Sequence, residues 1–250
     1  MSEVRLPGGR TTGAVRIGDV VHKPAAPWTP SVHEVLRHLE KHGFTGAPRA
    51  LGVDEQGREM LTYLPGETIG DRLRWPAWVY TDATLVQVGR WLREVHDLTA
   101  SFEPPAGARF FTGTTMRPGW IVGHQDAAPY NAVMDGDRLV GFVDWDIASP
   151  SPREFDIAFS AILWVPLASA SPIDADGRRR FHLLLDSYGY EGDRHAFATV
   201  IPERARRQAG VIRDMADKGD PASVALLPIA GTLSKAAADV EALPEDFWTP

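Results

Sequence analysis

The chain has 250 residues, 44% of them apolar and 24% charged, enough for one large domain or two small lobes with no need of a covalent staple. Its formal net charge of −7 offers no basic excess for a polyanion, and the absence of cysteine excludes disulfides, thiolate nucleophiles and Cys-based metal sites. The start MSEVRLPGGR has no apolar signal segment, and the longest nearly apolar stretch, 159–170, is short of the roughly 18–20 residues that span a bilayer. The expectation is a cytoplasmic protein with no nucleic-acid or membrane partner.

In chain order, strands are predicted at 4–6, 14–17 and 20–23, with Gly8, Gly9 and Gly13 in the first loop and Gly18-Asp19 as a tight turn. The glycine loop is no P-loop, because Ala14 stands where a phosphate-binding lysine is required. After Pro24, Pro27 and Pro30, Ser31 and Glu34 have the spacing of a capping box. Val32, Val35, Leu36 and Leu39 then predict a helix that ends at Gly43. Segments 50–53 and 59–63 flank a hairpin turn at 54–57, and Leu64-Pro65-Gly66 reads as a boundary. Beyond it, Leu85, Val88, Trp91, Leu92 and Val95 recur at helical spacing. Strands at 121–122 and 139–143 bracket a loop at 124–131, and from Phe155 onward the pattern is helical. Two arginine runs, 178–180 and 204–207, read as solvated helix faces. The expected layout is α+β: a small strand-rich lobe over 1–64 and a larger, mainly helical lobe over 65–250.

The chemistry concentrates in Gly123-His124-Gln125-Asp126-Ala127-Ala128-Pro129-Tyr130-Asn131 and Gly141-Phe142-Val143-Asp144-Trp145-Asp146. Asp126 lies in a Pro-containing loop, where no regular ladder engages its carboxylate. Asn131 follows five residues later, and a hairpin through Asp135-Gly136-Asp137 would bring Asn131 and Asp144 to the same end. Two oxygen donors there suit Mg²⁺, and Asp126 beside them could orient a hydroxyl and accept its proton. Asp144, between bulky apolar neighbours, needs a metal or a cation to offset desolvation.

These residues resemble the aminoglycoside phosphotransferase (APH)-like small-molecule kinases, relatives of the protein kinases. Their loop H-G-D-x-x-P-x-N is matched by His124, Asp126, Pro129 and Asn131, with Gln125 in place of Gly. Their metal strand I-D-W-[DE] is matched by Asp144-Trp145-Asp146, and their D-[LI]-A helix start by Asp156-Ile157-Ala158. The resemblance implies a bilobal protein-kinase-like fold with an antiparallel-sheet N-lobe and a helical C-lobe. It implies ATP and Mg²⁺ as cofactors, and a small molecule bearing a hydroxyl as acceptor. Asp126 would be the catalytic base, and Asn131 and Asp144 the metal ligands. The Gly8, Gly9 and Gly13 loop would cover the phosphates, Lys23 would hold them, Glu34 would pair with Lys23, and backbone at Tyr63 would meet the adenine. Acceptor walls are sought after Ala158, among residues such as Trp164, Asp186 and Tyr188. The rival expectation is a catalytically silent nucleotide-binding module of pseudokinase type.

Overall fold

The computed structural model describes residues 3–6, 13–70, 74–167 and 175–250. β1 (Glu3–Arg5), β2 (Val15–Ile17), β3 (Val20–Pro24), β4 (Ala50–Val53) and β5 (Arg58–Thr62) form one antiparallel sheet in the order β1-β2-β3-β5-β4. Local chemistry sets its turns. Asp54 Oδ1 accepts the amides of Gln56 and Arg58, at 3.0 and 2.9 Å, and Gly57 takes a φ of +76° that closes the hairpin.

The helix α1 (Thr29–Lys41) packs Val32, Leu36 and Leu39 into the core. It starts two residues before Ser31, with Trp28 at the cap position and no side-chain cap, so the expected capping box does not form. Pro30 is tolerated because amides of the first turn have no partner within the helix. Ser31 Oγ instead accepts the Arg109 amide at 2.8 Å. Glu34 is left exposed on the outer face, paired with Arg37 at 2.6 Å.

The remainder is mainly helical. α2 (Asp82–Thr99) begins at Thr81, whose Oγ1 accepts the Thr84 amide, and its stripe of Leu85, Val88, Leu92 and Val95 is fully buried. Then come α3 (Arg153–Trp164), α4 (Ala175–Tyr188), α5 (Phe197–Asp217), α6 (Pro221–Ala225) and α7 (Leu227–Glu241). Between α2 and α3 lie two small ladders. β6 (Ile121–Gly123) pairs with β9 (Ser149–Ser151), and β7 (Ala132–Asp135) with β8 (Arg138–Phe142). The second is the hairpin expected through Gly136. β9 has no sequence signature, because a Ser-Pro-Ser run reads as a turn; Pro150 fits there in a two-stranded ladder with no strand beyond it.

Two backbone seams tie the helical region to what precedes it, the first to the segment that follows β5 and the second to the sheet region. Glu67 and Met134 exchange hydrogen bonds of 2.7 and 2.8 Å, and the Gly46 carbonyl accepts both the Phe142 amide and Trp91 Nε1. Gly141 lies against this second seam: a Cβ there would sit 2.1 Å from Gly46 O. Gly141→Ala therefore has to part the two regions, and is expected to cost about 3 kcal/mol, as overpacking of a close contact does. Chemical denaturation would measure it; an unchanged midpoint would mean that the seam yields freely.

Candidate active site

The loop between β6 and β7 carries the predicted residues, and a buried carboxylate beneath it holds its backbone. Asp156, in the first turn of α3, accepts the His124 amide at 3.1 Å and His96 Nε2 at 2.9 Å on Oδ2, and the Gln125 amide at 2.7 Å on Oδ1. His96 Nδ1 meets the Tyr188 hydroxyl at 3.0 Å, which Arg153 also contacts at 3.0 Å. Burial opposes the charge of Asp156, but these hydrogen bonds win and hold its carboxyl below the usual range.

Gln125 takes a φ of +65°, the left-handed region that explains why the resembled loop carries Gly here. Its side chain compensates by donating to Ser151 Oγ at 2.8 Å. His124 accepts the Asp126 amide on Nδ1 and donates Nε2–H to the Val143 carbonyl at 3.1 Å, joining the two halves of the site. Burial pushes its pKa down to about 4, so the ring is neutral and structural.

Asp126 projects from this scaffold. Its Oδ2 accepts Asn131 Nδ2 at 2.9 Å, and its Oδ1 accepts the Tyr130 hydroxyl at 2.6 Å. Burial, reinforced by the charge of Asp144 against those hydrogen bonds, pushes the carboxyl up to about 7. That is a base poised near neutrality. The Val143 amide donates to the Asn131 carbonyl at 2.9 Å, so the β7–β8 hairpin places Asn131 next to the Asp144 segment, as its spacing predicts. Asp144 has a φ of +64° and a side chain 38% exposed.

Lys23, on β3, reaches this point across the seam. Its Nζ lies 3.2 Å from Asp144 Oδ1, contacts Asp146 Oδ1, and lies 3.4 Å from Glu59 Oε1. Burial disfavours the ammonium, but the carboxylates of Asp144, Asp146 and Glu59 outweigh it and hold the pKa above its ordinary value. Asp146 is itself pushed up to about 6, by burial and by Asp144 and Glu59, against the pull of Lys23.

The pairing of Lys23 with Glu34 is not made. The lysine's partner in the sheet is Glu59, directly across the ladder on β5, whose Oε2 meets His33 Nε2 at 3.0 Å. A helix turns by about 100° per residue, so α1 points His33 inward and the adjacent Glu34 outward. Glu59 is in phase with buried Leu61 on β5, a signal that the alternation of the strand carries.

Other predicted residues divide. Gly13 has a φ of +57° just before β2, while Gly8 and Gly9 lie outside the described residues. The amides of Thr62 and Tyr63 already donate to Arg49 O and Asp19 O, so Tyr63 has only its carbonyl left for a ligand. Trp164 and Tyr188 are buried supports, Trp164 Nε1 donating to the Ala127 carbonyl at 2.8 Å, so neither is an open wall; Asp186 is exposed and pairs with Arg194. The arginine runs are not solvated faces throughout. Arg180 is buried against the Tyr80 and Trp164 carbonyls. Arg204 is buried on the ring of Phe159, and its Nη2 donates to the Gln125 carbonyl at 2.7 Å. Its place three residues after Ile201 and eight before Ile212, on the apolar stripe of α5, is the signal that marks it as inward.

The donors fit a hard divalent cation. Asn131 spends its Nδ2 on Asp126, which leaves Oδ1 as a donor, and Asp144 has one oxygen beyond the Lys23 contact. Among the described residues no group of three or more His, Asp or Glu side chains holds a metal by itself, so water or ligand oxygens would complete the shell.

A family model, the phosphotransferase enzyme family (APH), matches residues 114–194, the stretch that holds this loop and α3. A trifolitoxin immunity protein of Rhizobium leguminosarum bv. trifolii is 34% identical over 199 residues, 75% of this chain and 74% of that protein. Among solved structures, an amicoumacin kinase in complex with AMP-PNP and Ca²⁺ superposes with a TM-score of 0.70 at 12% identity, covering 98% of this chain and 90% of that one. A choline/ethanolamine kinase family protein from Mesorhizobium loti superposes with a TM-score of 0.58 at 16% identity, covering 96% and 92%. At these identities the structures bear on the fold, which is protein-kinase-like.

Proposed function

The chain belongs to the phosphotransferase enzyme family, and we propose that it moves the γ-phosphate of ATP to a hydroxyl of a small molecule. The observation that carries this reading is the convergence of Asp126, Asn131, Asp144 and Lys23, drawn from both parts of the fold, through a chain of direct contacts. Asp126 orients the acceptor hydroxyl and takes its proton, and Lys23 neutralises phosphate charge, exchanging its contacts with Asp144 and Asp146 for phosphate oxygens. Glu59 keeps Lys23 in place during that exchange. Asn131 and Asp144 are the oxygen donors for Mg²⁺, which when bound neutralises charge on the phosphates. The relative named for immunity to trifolitoxin favours a toxic compound as acceptor, and a need for ATP would favour a cytoplasmic location. Among the described residues no helix is long and apolar enough to cross a membrane.

The test is transfer from γ-labelled ATP with Mg²⁺ to aminoglycosides, amino alcohols, sugars, hydroxylated peptides and a generic protein in parallel. A labelled small molecule is expected. Nucleotide binding with neither transfer nor hydrolysis would support the silent module instead, and labelling of the protein alone would overturn the acceptor class.

The Glu59 assignment makes its own prediction. Glu59→Gln is expected to raise the KM for ATP about tenfold, a loss of about 1.4 kcal/mol, because Lys23 loses its charged anchor in the sheet. Glu34→Ala is expected to leave KM unchanged. Steady-state kinetics checks both; the opposite ranking would restore the helix carboxylate as the partner.

A further inference from the structure

Both oxygens of the proposed base are engaged without any substrate. Asn131 Nδ2 holds Oδ2 and is part of the fixed loop, its own amide donating to Ala128 O at 3.0 Å. Oδ1 is taken by the Tyr130 hydroxyl at 2.6 Å. Tyr130 differs from its neighbours in one respect: Ala127, Ala128, Pro129 and Asn131 are buried, while Tyr130 is 41% exposed. Its backbone is therefore held while its ring stands at the solvent side of Asp126, free to turn about two side-chain bonds.

We propose that the Tyr130 hydroxyl holds the acceptor's place on Asp126 and denies it to water until an acceptor displaces it. This rests on the phosphotransferase reading of the same site. A carboxylate that activates an alcohol activates water equally well. The side reaction is hydrolysis: the water oxygen bonds to the γ-phosphorus, the bond from that phosphorus to the β-bridging oxygen breaks, ADP leaves, and the water proton passes to Asp126. A phenol donating to Oδ1 occupies a lone-pair position from which water could do this. Its ring carbons cover the position from the solvent side. A hydroxylated acceptor with enough contacts elsewhere pushes the ring aside, and single water molecules lack those contacts. Tyr130 is thus a guard acting through Asp126.

The test is Tyr130→Phe, which keeps the ring and removes the hydroxyl. With Mg·ATP and no acceptor, phosphate release is expected to rise about tenfold over wild type. The dissociation constant for Mg·ATP, measured by calorimetry, is expected to stay within about twofold, and the melting temperature to move by no more than a few degrees, since the variant keeps the ring and loses one hydrogen bond. That split separates a guard from a structural part, whose loss would shift binding or melting first. Adding Asp126→Asn to Tyr130→Phe is expected to abolish the extra hydrolysis. Phosphate release equal to or below wild type in Tyr130→Phe would overturn the proposal. So would recovery of the label on Tyr130 of the wild-type chain, which would make this hydroxyl an acceptor. If wild type binds Mg·ATP and only the Tyr130 result fails, the guard falls alone; if wild type binds no Mg·ATP, the phosphotransferase reading falls with it.

Discussion

Asp126→Asn is expected to lower phosphoryl transfer by about three orders of magnitude, within the range set by loss of a general base. The amide keeps the size of the carboxylate and can still accept the Tyr130 hydroxyl; its NH2 then faces Asn131 Nδ2, which keeps its bond to the Asp126 carbonyl and so still holds the loop. What is lost is basicity at the point where the acceptor's proton must go. Nucleotide affinity is expected to stay within about threefold, because Asp126 is neither a proposed metal ligand nor a phosphate contact. Single-turnover transfer and calorimetric titration check the two halves. Transfer within tenfold of wild type would remove Asp126 from the base role. A pH dependence goes with it. Burial and the charge of Asp144 raise the Asp126 carboxyl to about 7, and only its ionised form accepts a proton. The rate is therefore expected to fall as pH drops below about 7 in wild type, and to be flat there in Asp126→Asn. Mg²⁺ at Asp144 screens the charge that helps to raise this pKa, so saturating Mg·ATP is expected to move the acid limb downward.

Asp156→Ala is expected to destabilise the fold by about 4 kcal/mol, the scale of breaking a buried charged network. Its carboxylate is fully buried and accepts three hydrogen bonds, from the His124 and Gln125 amides and from His96. Removing it strands those donors, and each buried donor left without a partner costs about 1–3 kcal/mol. Nothing else in the contacts of the loop supports the two amides that precede Asp126, so activity is expected to fail along with stability. Asp156→Asn keeps the shape but turns one accepting oxygen into a donor, and is expected to cost less. Urea denaturation with a transfer assay below the transition measures both; a variant of wild-type stability would mean that the loop stands without its anchor. The sign with pH follows from the lowered pKa. The carboxylate is ionised in both states at neutral pH, so its stabilisation is fully present above the ordinary carboxylate range. It is lost as pH falls through that range toward its lower native value.

The same two residues show why much of this site is legible in the sequence. Asp126, Asn131 and Asp144 lie within nineteen positions and are brought together by one hairpin through Gly136, a local event fixed by turn chemistry and by β7 and β8. The strand alternation, the stripe of α2 and the sequence around Asp156 are local in the same sense. The β2–β3 and β4–β5 hairpins were equally readable, because Gly18, Asp54 and Gly57 impose their turns whatever lies beyond them.

Partner choice across long separations was not local. Lys23 meets Glu59 because β3 pairs with β5 in one register, and a shift of a single residue would turn Glu59 to the other face. The choice between His33 and Glu34 depends on how α1 is rotated against the sheet, which its core contacts and the Ser31–Arg109 bond decide and its composition does not. Arg204 reaches Gln125 across 79 positions; the apolar stripe of α5 marks it as inward but does not say which group it will meet. Hydrophobic periodicity tells which stripe is buried, but a buried charge is selected by a specific partner at a specific distance. That pairing exists only once the two regions have packed, with Gly141 against Gly46 and Lys23 drawn to Asp144 across the seam.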